Sequence, residues 1–149
     1  MRLRSAFLFT GLGALAFSVA ALAQGDPIKQ RQEAMKAIGG SMKVLGEMAK
    51  GVKPYDGAAA EAAVGRIHDS IDGFTDLFPE GTEMGGDTEA SPAIWDKPEE
   101  FKADAEALKA ASAAAKPEVG RGLDALRASL GSVGGACKDC HQSFRIKKD

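Results

Sequence analysis

The chain has 149 residues, with 19 basic and 21 acidic side chains and a formal net charge of −2. So even a balance gives no reason to expect nucleic acid as a partner. Arg2 and Arg4 precede an apolar run from Ala6 to Leu22, broken only by Thr10, Gly11, Gly13 and Ser18, which ends in Ala21-Leu22-Ala23. A basic start, an apolar stretch and a small-residue exit describe an export signal over residues 1–23, cleaved before Gln24. A retained anchor fits less well, because the apolar stretch is short for a transmembrane helix. Cleavage leaves residues 24–149 as one domain with 17 basic and 21 acidic residues, enough chain for a single core. No later stretch is apolar enough to span a membrane, so the product is expected to be soluble outside the cytoplasm.

No segment of that domain alternates apolar and polar residues as a half-buried strand does, and helical spacing recurs four times instead. The first segment runs from about Pro27 to Gly51, with Ile28, Met35, Ile38, Met42, Leu45, Met48 and Val52 on one stripe and Asp26 as its N-cap. Gly39-Gly40 weakens this helix on propensity, but such small residues permit close approach of another helix or of a flat ligand. Lys53 to Gly57 reads as a turn, with Asp56 capping a second helix that carries Val64, Ile67, Ile71, Phe74 and Phe78. A connection rich in Gly, Pro, Asp and Thr follows from Pro79 to about Lys97, a length often associated with function. The third helix starts near Pro98, and Pro117 is expected in the first turn of the fourth. There Leu123, Leu126, Leu130, Val133, Cys137, Cys140 and Phe144 step by three and four, an inward seam in which both cysteines take core positions. Short links, one long link and no strands predict an all-α fold, an antiparallel four-helix bundle.

Cys137-Lys138-Asp139-Cys140-His141 is the C-x-x-C-H pattern for covalent haem attachment. On a helix, residues three and four apart are neighbours, so both thiols reach the same porphyrin and His141 projects toward its iron. A thioredoxin-like dithiol would open a helix after a strand, and no strand is predicted. A structural zinc site needs about four ligands, and His68 is the only other histidine. A plain disulfide explains neither the adjacent histidine nor the core spacing.

The second axial ligand is less determined by pattern. Methionine thioether is a common axial partner, and Met35, Met42, Met48 and Met84 are the candidates. Met35 and Met42 lie seven residues apart on one stripe, so spacing does not choose between them, and any of the four also serves as core filler. His68, at the edge of the second stripe, reads better as a half-buried histidine than as a ligand. Tyr55 and Trp95 read as structural, and the Lys147-Lys148 tail as solvated charge able to steer an acidic redox partner.

With these residues in place the chain resembles the class II c-type cytochromes, the cytochrome c-prime family. The resemblance covers Arg31-Gln32-Glu33-Ala34-Met35-Lys36, Lys53-Pro54-Tyr55-Asp56, Gly81-Thr82-Glu83 with Gly86-Asp87, Pro92-Ala93-Ile94-Trp95, Phe101, and Cys137 to Arg145. It implies a four-helix bundle with one covalent haem c near the C-terminus, in a bacterial periplasm. The position of Met35 faces the distal side of the haem in that family. Where it is methionine and ligates iron, the protein is a low-spin electron carrier; where it does not ligate, the open iron binds NO or CO. Met35, Lys36 and Val44-Leu45-Gly46 resemble the low-spin branch. The resemblance also places Arg31 near the haem propionates, Arg145 beside the proximal histidine, and Phe78 and Phe144 as apolar haem neighbours. Many members pair as homodimers through their first two helices. The expectation is therefore a periplasmic electron carrier, not an enzyme, that exchanges electrons with a partner protein and uses His141 and Met35 as axial ligands. The alternative is a five-coordinate protein that captures NO or CO.

Overall fold

A computed structural model describes residues 25–146; the expected export signal and the Lys147-Lys148 tail lie outside them. Helix α1 spans Pro27–Ala49. Asp26 caps it by accepting a hydrogen bond from the Ile28 amide at 2.9 Å, and Pro27 sits in its first turn, where no amide partner is needed. Its other end is a Schellman turn. Gly51 takes φ of 74°, its amide donates to the Met48 carbonyl, and the Val52 amide donates to the Glu47 carbonyl. That turn carries Val52 off the expected stripe and leaves it 71% exposed.

Helix α2, Gly57–Ile71, begins at the Asp56 cap, which accepts from the Ala59 amide at 3.0 Å. It stops earlier than its apolar spacing suggests. Gly73 adopts φ of 68°, a left-handed conformation open to glycine, and redirects the chain into a 3-10 turn at Phe74–Leu77. Phe74 and Phe78 are therefore held by this turn and the segment after it, not by α2. The long connection holds one short helix, α3, Ala93–Asp96.

Helix α4 runs Pro98–Val119, and α5 runs Leu123–Phe144. Pro117 lies in the last turn of α4 and not, as its position suggested, in the first turn of the next helix. A proline there removes one helical hydrogen bond. Continuing the helix past it seats Val119 in the core, and lets the Val119 carbonyl accept the Tyr55 hydroxyl at 2.8 Å.

The four long helices form the expected bundle, packed around the cycle α1, α2, α4, α5, and the diagonal pairs scarcely touch. Three of the four seams are well packed, with Leu45, Ile67 and Leu126 fully buried at the centre. The fourth, between α1 and α5, is much sparser. The connection over residues 78–97 closes over one end. Its Ser91 amide donates to the Phe144 carbonyl, the Ile146 amide donates to the Glu89 carbonyl, and Ala90 pairs with Arg145 in an isolated antiparallel bridge.

Leu126→Ala should cost about 2–5 kcal/mol of unfolding free energy, the range for a buried leucine that leaves a cavity. Val52→Ala should stay within about 0.5 kcal/mol. Denaturant midpoints of the two variants check both, and similar losses would place the core wrongly.

Candidate haem-binding site

The last turns of α5 carry Cys137, Cys140 and His141, spaced by three and one so that all three share a helix face. Both cysteines are free thiols and half-buried, packing against the edge of the core. They are less enclosed than their place on the leucine stripe predicts, because α1 does not close over this part of α5. Burial raises the Cys137 thiol above its ordinary pKa. Burial also pushes Cys140 up to about 11, with Asp104 and Cys137 adding to the effect. Both therefore stay protonated at neutral pH. Burial lowers His141, and Arg145 lowers it further while Glu89 opposes. The imidazole is thus neutral, the form that can ligate a metal.

These side chains open onto a cleft of about 740 Å³ along the sparse α1–α5 seam. That volume falls within the roughly 300–1,000 Å³ typical of cofactor sites. Gly39 on α1 and Gly134 on α5 line it, and a Cβ added at either would meet no atom within 4 Å. Gly39 therefore flattens the wall of an open slot, and among the described residues no helix packs on it. A smaller cavity of about 30 Å³ adjoins it, bounded among others by Met35, Asp104, Cys140 and His141. The group that C-x-x-C-H motifs hold fits this donor set. Two thiols and an imidazole stand on one wall, a thioether on the other, and flat apolar space lies between them.

The four methionines separate clearly. Met35 lines both the cleft and the smaller cavity, in each case together with His141. Met42 lines the cleft alone. Met48 is buried in the core, where its sulfur accepts from the Asp56 amide at 3.4 Å. Met84 is 86% exposed on the long connection. His68 is half-buried on α2 beside Asp69 and lines neither space.

Arg31, one turn before Met35, is only 4% exposed. Its Nε donates to the Leu77 carbonyl at 2.7 Å, Nη1 donates to the Thr82 carbonyl at 3.0 Å, and Nη2 donates to Thr82 Oγ1. The guanidinium lies 4.0 Å from the centre of the Phe78 ring and 5.4 Å from Trp95. Phe78 in turn meets Phe74, Trp95 and Phe101 edge-on, and its carbonyl accepts from Trp95 Nε1. Arg31 thus ties the start of the long connection to α1 while also lining the cleft. Phe144 is buried and touches the cleft. Arg145 is exposed, and its Nε donates to Glu89 Oε2 at 2.6 Å. The sequence did not single out Glu89 or Asp104, and it gave Thr82 no role beyond its place in Gly81-Thr82-Glu83. Each reaches the site from a segment distant in sequence, and no local pattern reveals its contact there.

The family model described as Cytochrome C' matches residues 26–145. The cytochrome c-556 of Agrobacterium fabrum is 38% identical over 121 residues, covering 81% of this chain and 82% of that protein. The solved cytochrome c' of Rhodopseudomonas palustris superposes with a TM-score of 0.80 at 36% identity, over 85% of this chain and all of that one. The structure of oxidised cytochrome c556 from the same organism gives 0.76 at 33% identity, again over 85% of this chain and all of that one. Fold, thiol spacing and relatives agree: this chain belongs to the cytochrome c' family of electron-carrying haem proteins, whose cofactor is a covalently attached haem c.

Proposed function

We propose that this chain is a periplasmic one-electron carrier whose haem iron is held between His141 and Met35. The observation that carries this reading is that Met35, alone among the four candidate methionines, shares both the cleft and the adjoining cavity with His141. Haem supplies, when bound, a one-electron iron couple whose potential depends on its axial ligands and their surroundings.

The protein's own residues divide the remaining work. Cys137 and Cys140 anchor the porphyrin through thioethers, so that loss of an axial bond need not release it. His141, with a neutral imidazole, and Met35, with a thioether, would be the residues that hold the iron. A thioether ligand from Met35 would favour the reduced state and leave no open position for added ligands. Arg31 has five N–H donors, of which three are engaged by Leu77 and Thr82. The others remain for a propionate carboxylate at the cleft's edge. Phe78 forms an apolar wall below it, and Arg145 places charge beside His141. Residues 1–23 supply the export signal that takes the chain out of the cytoplasm.

The visible spectrum of the holoprotein tests this reading. Reduced protein should be low-spin and unmoved by CO, and the ferric form should show a methionine–iron band in the far red. Met35→Ala should abolish that band and create a CO-binding site. A high-spin native spectrum that shifts with CO would make Met35 a core residue and ligand capture the function. Arg31→Gln should destabilise the fold by about 2–4 kcal/mol, since it removes a buried cation–π contact and leaves buried carbonyls unpaired. Thermal or denaturant unfolding of the holoprotein reads this. A loss below about 0.5 kcal/mol would mean the arginine's loop contacts carry little.

A further inference from the structure

The side of the cleft next to His141 carries an ion pair that belongs to neither the helix seam nor the thiol motif. Arg145 follows His141 by one helical turn, and its Nε donates to Glu89 Oε2 at 2.6 Å. Glu89 comes from the long connection, 56 residues earlier. Its position is fixed by main chain as well as by charge. The Ile146 amide donates to the Glu89 carbonyl at 2.8 Å, the Ser91 amide donates to the Phe144 carbonyl at 3.0 Å, and Ala90 bridges to Arg145. Glu89, His141 and Arg145 all line the cleft. As a partly exposed pair it contributes little to stability, so its consequence is local.

We propose that Glu89 is a positioning residue of the haem site, which holds Arg145 in an ion pair beside His141 and so keeps the iron's reduction potential below the value an uncompensated Arg145 would impose. This rests on the reading of His141 as an axial ligand. Ferrous haem carries one positive charge less than ferric haem, so a lone cation near the axial histidine favours reduction and a lone anion opposes it. Paired at 2.6 Å, Arg145 and Glu89 present a dipole in place of a net charge. The covalent haem is thereby shielded from a cation that its own attachment helix brings close.

The test uses full-length holoprotein, produced with haem-attachment machinery, in four forms: unaltered, Glu89→Gln, Arg145→Gln and the double variant. Midpoint potentials are read by optical redox titration at low and high salt. Glu89→Gln should shift the potential upward and Arg145→Gln downward. The double variant should return close to the unaltered protein, and both single shifts should shrink as salt rises. A merely structural pair would move the two single variants the same way, through a loosened site, or leave the potential unmoved. Either result, with unchanged spectra, overturns the proposal. An unaltered holoprotein whose spectrum lacks histidine ligation would overturn the axial assignment, and this inference with it, before any variant is compared.

Discussion

Helices α1 and α5 do not close on each other, and most of what is distinctive in this molecule follows from that gap. Three seams of the bundle are packed by side chains in the ordinary way, with leucine, isoleucine and valine fully enclosed. On the fourth, glycines at 39 and 134 supply no side chain to fill the space, and the apolar stripes of the two helices face a slot. Apolar surface left facing an opening of this size is unfavourable in water. A flat apolar cofactor placed there would cover both stripes, so on the proposed assignment the haem would also be a structural member of the fourth seam. On the proposed assignment its thioether links to α5 fix it to one wall, and a bond from Met35 would tie the other wall to the same iron.

The long connection plays a part that its irregular backbone conceals. It is anchored at its start by Arg31, whose buried guanidinium engages Leu77 and Thr82 and lies on the Phe78 ring. Near its end it is anchored by pairing with the residues that follow the thiol motif. These anchors lie on opposite walls of the cleft, one beside Met35 and the other beside His141. A segment without regular structure therefore spans the seam that the helices leave unpacked, and it brings a carboxylate to a site whose own helix supplies only a cation. The electrostatic surroundings of His141 are in this way set by two segments far apart in sequence.

Much of the fold was legible in the chain because it is encoded by local periodicity. The four apolar stripes, the Asp26 and Asp56 caps and the C-x-x-C-H motif depend on residues within a turn or two of one another. The errors arose where a single residue's backbone outweighed the stripe. Gly73 ended α2 before Phe74, and Gly51 turned Val52 out to solvent. At Pro117 the opposite held, since burial of Val119 kept α4 going past a residue that usually opens or ends a helix.

By itself the sequence determined that the protein is helical, that two thiols and a histidine share a face, and that the surrounding pattern resembles a known cytochrome family. Periodicity and covalent spacing suffice for those conclusions, because each rests on neighbours along the chain. Periodicity did not choose between Met35 and Met42, since they lie two turns apart on one stripe, and only the family resemblance favoured Met35. Only the tertiary structure decided that Met35 shares its cavity with His141, that Arg31 is buried among carbonyls, and that Glu89 meets Arg145. Each of those contacts depends on how far two helices stand apart and where a long connection crosses between them, and such distances are fixed by packing rather than by order along the chain.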